Sequence, residues 1–505
     1  MRPLCLRDRD EVAPDSPTTE LWRLDAVELA WLVRLGLVSC REVVVSALER
    51  LEAVNTRINA VVLPMAAQAR AAAEAADAAR HQGAPLGPLH GVPVTIKGNT
   101  DQQGCPTDHG VAAHKDMIAA EDSAVVANFR RAGAIVIGRS NVPAYSLRWF
   151  TENDLHGPTL NPWVPERTAG GSSGGGAAAV AAGIGAIAHG NDIAGSLRYP
   201  AYCCGVVGLR PTNGRIPSFN ATAMSPVTIS SQLMFVEGPI ARHVRDVRLA
   251  LAALAMDDLR DPRFTPAVAP SRPRRQAAAL VASPGGRKPH AAVAAAVVRA
   301  GRVLAGAGYI VEEIDPPMVE AADLWPAIAM PDIIAQREPL IAVNGDDGVR
   351  RALALWREIW PMRDPQGALA ALAHRHALLR QWQAFLAQWP VVISPVSLEP
   401  PFPVGYDLRD EATTRAILIA QTPMLAASVL GLPAVSVPAG LHDGVPLGVQ
   451  VIAGRFCEDL CLDVAEVIEA QLGLPSPVEP LPATKGRETP SWTPADGSVQ
   501  CDPQV

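Results

Sequence analysis

Lysine is scarce in this chain. Among its 44 basic residues only Lys97, Lys115, Lys288 and Lys485 are lysine, and the formal net charge is −7. A protein that tracks nucleic acid needs a basic stripe, and this composition argues against one. Cysteine is sparse too, with 8 in 505 residues and no CxxC pair. Cys203 and Cys204 are adjacent, Cys457 and Cys461 are separated by one helical turn, and no histidine cluster completes a zinc set. No metal centre and no disulfide frame are expected, only buried free thiols in a reducing compartment. Residues 1–15, MRPLCLRDRDEVAPD, place charges where a signal peptide needs an apolar core. The alanine-rich stretches carry Arg, Glu or Gly before they reach the length of a spanning helix. No internal repeat is evident. The expectation is a cytoplasmic protein with neither a membrane nor a nucleic-acid partner.

Two missing motifs narrow the chemistry. No GK[ST] follows the glycine run at 170–176, GGSSGGG, which disfavours a phosphate-binding loop. Neither Ser172 nor Ser196 sits in a GxSxG elbow, so His156 and His189 read as structural histidines. What is present is two serines in small-residue surroundings, Ser172 in the glycine run and Ser196 in NDIAGSLR, with Lys97 at the end of an apolar run. A serine hydroxyl is a poor nucleophile until a base takes its proton. A lysine surrounded by protein loses charge through desolvation and becomes such a base. Small residues at 192–196 let successive N–H groups converge on one point, where an oxyanion would be stabilised. Spacing alone leaves open whether the three side chains meet.

Hydrophobic residues make up 49% of the chain, enough for a large core. Residues 25–62 read as two helices split at Gly36, the second opened by a Ser39/Glu42 capping box. A helix is predicted at 66–80, strands at 92–96 and 134–138, a helix at 123–132 and a long loop at 149–168. The glycine run leads into a small-residue helix at 176–183 and a strand at 185–189. Residues 241–388 read as mostly helical, broken by an Arg/Pro segment at 266–275. Strands follow at 391–395, 434–437 and 448–452, then a closing helix at 458–472. This alternation predicts an α/β fold with a mixed or mainly parallel sheet. An N-terminal arm is expected at 1–21, one domain at 22–475 and a loosely ordered Pro-rich tail at 476–505.

Three long stretches carry a resemblance: PLHGVPVTIKGNTDQQGCPTDHG from Pro88, LNPWVPERTAGGSSGGGAAAVAAGIG from Leu160 and HGNDIAGSLRYPAYCCGVVGLRPTNGRIP from His189. With GLPAVSVPAG from Gly431 and GVPLGVQVIAG from Gly444, they resemble the amidase signature family of serine hydrolases. The likeness is densest over 88–217, runs from about 22 to 472 and is weakest between 251 and 389. It implies a single α/β/α sandwich around a large mixed sheet, a homodimer, no cofactor and a small-molecule amide substrate. By the same resemblance Ser196 matches the acylated nucleophile, Lys97 the base, and Ser172 the bridging serine that follows a non-proline cis peptide bond. The backbone N–H groups of Ile193, Ala194, Gly195 and Ser196 match the oxyanion hole. Gly171, Ser173, Asp192 and Arg198 take supporting places. Amide hydrolysis through an acyl-enzyme is the expected reaction. The alternatives are an amidotransferase A-type subunit needing partner chains, or a non-catalytic binding relative. With the three central residues intact, Ser196→Ala is expected to abolish turnover and Lys97→Ala to cost several orders of magnitude.

Two departures stand out. Gly98 and Asn99 follow the lysine where the family usually has an acidic residue, which predicts a base that neutralises more easily. Ala194 replaces a frequent glycine. Trp149, Phe150, Trp163 and Tyr199 flank the signature as pocket or core residues, and Trp325, Met330, Trp356 and Trp360 supply a lid or substrate wall. The apolar, aromatic residues near the signature point to a small aliphatic, aryl or cyclic amide, with an aliphatic or aryl amide favoured over a charged acyl group. The sequence does not choose between linear, aryl, cyclic and urea-type amides.

Overall fold

The computed structural model describes residues 20–223, 225–266, 275–360 and 364–482. Eleven strands form one mixed sheet. They are β1 Val61–Pro64, β2 Pro93–Lys97, β3 Ile135–Ser140, β4 Ile187–Asp192, β5 Val207–Arg210, β6 Val236–Ala241, β7 Ala277–Leu280, β8 Ile310–Glu313, β9 Val391–Pro395, β10 Ala434–His442 and β11 Val445–Ala453. Their spatial order is β1-β3-β2-β4-β6-β5-β10-β11-β9-β7-β8. The inner strands β2, β3, β4 and β9 are buried along their whole length, as expected of continuous apolar runs covered on both faces.

The placement of Lys97 and Asp192 follows from the parallel part of this sheet. β2 lies between β3 and β4 and runs parallel to both, with Val94 opposite Ile187 and Thr95 opposite Ala188. Their C-terminal ends therefore emerge on one edge, β2 ending at Lys97 and β4 at Asp192. In α/β sheets this edge is where ligands bind. The helix Gly174–Ala181 leaves the glycine run and packs its buried face on the sheet. A Cβ on Gly175 would lie 2.4 Å from the Asn141 nitrogen and 2.7 Å from the Ala60 oxygen. Only glycine permits that approach of helix to backbone.

The two N-terminal helices are Ala26–Leu35 and Cys40–Ile58, with Gly36 in the left-handed conformation and the Ser39/Glu42 capping box formed. Other elements differ from expectation. β5 and β6 arise from segments with no predicted strand. β7, whose sequence is AAAL, and β8 interrupt the stretch read as helical; β7 becomes a strand because it pairs with β8 and β9 on both sides. Local alanine content favours helix, and the two ladders override it. The first residues of the predicted loose tail are docked. Val478 donates to the Ala181 carbonyl at 2.9 Å, Leu481 donates to Pro162, and Glu479 pairs with Arg50 and Arg57. Residues 1–19 of the arm, 483–505 of the tail and 267–274 of the Arg/Pro segment lie outside the described residues. Among the described residues six cysteines are all free, no metal-holding cluster occurs, and no helix is long and apolar enough to cross a membrane.

Candidate active site

Lys97, Ser172 and Ser196 come together at the sheet edge. The Lys97 ammonium nitrogen donates to Ser172 Oγ at 2.8 Å and to Asn191 Oδ1 at 2.7 Å. Lys97 is 0% exposed, Ser172 1% and Ser196 6%. The peptide bond between Gly171 and Ser172 is cis. Ser172 and Ser196 line the same cavity, of about 1090 Å³ counted to its open mouth, without a direct hydrogen bond between them. Such contacts commonly close only when substrate is bound.

Burial pulls the Lys97 amine down to about 7, against Glu237 and Asp192, whose charges favour the protonated form. Its hydrogen-bond partners are neutral. A base acts when unprotonated, so the expected role of Lys97 as base predicts activity that falls as pH drops through this value. We expect kcat/KM to decline by about tenfold per pH unit below a midpoint near 7. A profile flat between roughly pH 5.5 and 8.5 would contradict this. Gly98→Asp adds a carboxylate next to Lys97 in sequence, which favours the protonated amine and should move the midpoint upward. Its Cβ would meet the Ser140 backbone oxygen at 3.2 Å, which must give by a few tenths of an ångström, so the variant's folding is checked by its melting temperature.

The loop that follows β4 is braced from beneath. Asp192 is fully buried and accepts from Arg198 Nε and Nη2, each at 3.0 Å, and from Arg210 at 3.3 Å. Burial alone would raise its pKa, but the two guanidinium groups outweigh it and hold the carboxyl well below the usual range. Asp192 also accepts the Gly195 N–H at 2.8 Å and the Leu197 N–H at 3.2 Å. Gly195 is one of the four residues whose N–H groups were expected to form an oxyanion hole. The Gly195 N–H donates to Asp192, and the N–H groups of Ile193, Ala194 and Ser196 have no acceptor among the described residues. Gly195 has φ of 103°, and a Cβ there would lie 2.6 Å from Met424 Sδ, so glycine is required.

Two indoles hold carbonyls of the same loop. Trp149 Nε1 donates to the Ala194 carbonyl at 2.9 Å and Trp325 Nε1 to the Ile193 carbonyl at 3.0 Å. A trans peptide points its C=O and N–H in opposite directions. Holding the Ile193 carbonyl therefore fixes the plane of the peptide that carries the Ala194 N–H. Trp325→Phe keeps the ring and loses this bond. We expect kcat to fall about tenfold to a hundredfold with KM changed less, and affinity for a boronic acid transition-state analogue to fall in parallel. A purely structural role would leave analogue and substrate affinities in their original ratio.

The remaining predicted residues divide. Trp149, Trp325 and Trp356 line the cavity, and Trp356 lies 5.6 Å from Trp149 and 6.4 Å from Trp325 between ring centroids. Trp360 packs against Trp325 and Trp356 from outside the cavity lining. Phe150, Tyr199 and Met330 are buried in the core and line no part of the cavity, and the Trp163 indole donates to the Cys204 carbonyl. Tyr199 stacks on Tyr202, an apolar burial that the flanking sequence alone did not distinguish from pocket lining. A Cβ on Gly171 would meet the Arg148 oxygen at 2.5 Å, and Ser173 Oγ reaches the Asn191 carbonyl only at 3.4 Å. His189 pairs with buried Glu237 at 3.0 Å and His156 with Asp108 at 3.1 Å, as expected of structural histidines. Asn191, Asn99 and Arg210 were not anticipated. Asn191 sits one residue before Asp192 in the quoted motif, and its amide also donates to Asn99 Oδ1 at 3.0 Å.

Comparison with known proteins gives four consistent likenesses. The profile of the Amidase family matches residues 42–462. An indoleacetamide hydrolase from Bradyrhizobium diazoefficiens is 44% identical over 463 residues, covering 91% of this chain and 88% of that protein. The A-type subunit of a glutamyl-tRNA(Gln) amidotransferase from Moorella thermoacetica is 32% identical, covering 89% and 97%. Among solved structures, a bacterial aryl acylamidase of the amidase signature enzymes superposes with a TM-score of 0.76 at 28% identity, covering 89% of this chain and 96% of that one.

Proposed function

The chain belongs to the Amidase family and is an amide hydrolase acting on non-peptide C–N bonds, and from that premise we propose that it cleaves a small aryl or arylalkyl amide through an acyl-enzyme on Ser196. The Lys97–Ser172 hydrogen bond of 2.8 Å, at the foot of a cavity that Ser196 also lines, carries this reading. Ser196 Oγ attacks the amide carbon while its proton passes to Ser172, whose own proton passes to neutral Lys97. The N–H groups of Ile193, Ala194 and Ser196 receive the oxyanion. The C–N bond breaks as Ser172 delivers a proton to the leaving nitrogen and is resupplied by Lys97, releasing ammonia or an amine. Water then attacks the ester by the same relay and frees the carboxylic acid.

The tryptophans in the cavity wall and the indoleacetamide hydrolase named above support an aromatic acyl group. Asp192 and Arg198 hold the loop, and a homodimer in the cytoplasm completes the proposal on the family resemblance; sedimentation velocity tests the dimer. The substrate test is ammonia release from indoleacetamide, phenylacetamide, aliphatic amides and glutamine. Aryl acetamides should lead. Silence toward every amide except glutamine, relieved only by adding the other amidotransferase chains, would favour the amidotransferase reading instead.

A further inference from the structure

We propose that Arg337 forms an anion subsite in the active-site cavity, and that a favoured substrate carries a carboxylate on its acyl part, away from the scissile bond. The proposal rests on the amidase reading above and narrows its substrate.

The backbone delivers Arg337 to this place. The helix Met318–Asp332 passes into a π-helical turn, Ile333–Arg337, and continues as the helix Glu338–Asn344. Pro339 has no N–H for the carbonyl four residues back, and its ring crowds that carbonyl. The chain widens instead, and the Glu338 N–H reaches the Ile333 carbonyl, five residues back. In an α-helix, residues five apart point roughly 140° away from each other. The π turn brings them close to one face. Asp332, Ile333 and Arg337 consequently all line the cavity that contains Ser196.

The charge inventory of the cavity singles out Arg337. Arg148 is neutralised by Asp407, with contacts of 2.8 and 3.1 Å, and lies within 3.6 Å of Glu152. Asp332 accepts the Ser230 N–H at 2.7 Å and forms no ion pair with Arg337. Burial, then repulsion from Arg337, pushes the His109 imidazole down to about 4, so it is neutral at physiological pH. Burial raises the Tyr145 hydroxyl, which donates to the Leu340 carbonyl at 3.4 Å. Arg337 itself has no ion pair and no hydrogen bond among the described residues, although burial already disfavours its charge. Its guanidinium, open to the cavity and without a protein acceptor among the described residues, offers planar paired donors suited to a carboxylate. The tryptophans of the same cavity supply room for an apolar or aromatic body between that carboxylate and the amide.

The test uses the inert Ser196→Ala protein and two para-substituted phenylacetamides, one bearing a carboxylate and the other a methyl group, with binding read by calorimetry. The carboxylate amide is expected to bind about tenfold more tightly or better, a preference that shrinks with added salt. Arg337→Gln in the same background should bring the ratio to about one, and Arg337→Lys should retain part of it. Equal binding of the two amides to Ser196→Ala, or a preference that survives Arg337→Gln, overturns the subsite. Ammonia release by the wild-type enzyme is read separately, so a failure of the amidase chemistry is distinguishable from a failure of the subsite.

Discussion

Ser196→Ala is expected to lower kcat by about five orders of magnitude or more while leaving the protein folded and able to bind its amide. The side chain is small and lies at the cavity wall, so alanine removes one hydroxyl without opening the core. Asp192, Arg198 and the two indole clamps are untouched, which keeps the loop at 192–196 in place. Residual hydrolysis would come from a water attacking a carbonyl that the loop still polarises. Stopped turnover with an unchanged melting temperature is the expected pair of readings. A variant that retains even a hundredth of wild-type kcat would assign the nucleophile elsewhere.

Lys97→Met should cost about three to five orders of magnitude in kcat/KM and remove the acidic limb of the pH profile. Methionine is chosen over alanine because Lys97 is wholly buried, and truncation would leave a cavity costing about 2–5 kcal/mol. The methionine variant loses the proton acceptor and leaves Ser172 Oγ and Asn191 Oδ1 without the Lys97 donor. Some destabilisation follows, but loss of rate at a temperature where the variant is folded isolates the chemical role. Near-normal rates at neutral pH would sink the relay.

Much of this site was legible because its residues lie in three contiguous stretches, each ending at a strand terminus or glycine turn. Lys97 closes an apolar run that becomes β2, and parallel pairing with β4 then sets it beside Asn191. Periodicity gave the capped helices, where local and tertiary preferences agree. It missed β7, where alanines are drawn into a strand by the flanking ladders, and it missed β5 and β6, both paired within the central sheet. The spent Gly195 N–H was invisible because the family motif does not say which donors Asp192 takes. Arg337 carried no local signal at all. It is one arginine among many, and its place depends on a π turn and on contacts from distant segments.

The most direct test of the central claim is to treat the wild-type protein with a fluorophosphonate and map the adduct by peptide mass spectrometry, with Ser196→Ala and Lys97→Met alongside. The account predicts a single adduct on Ser196, none in Ser196→Ala, and labelling slowed at least about a hundredfold in Lys97→Met. An adduct on another residue, or labelling of Lys97→Met at the wild-type rate, would contradict a Ser196 nucleophile driven by Lys97.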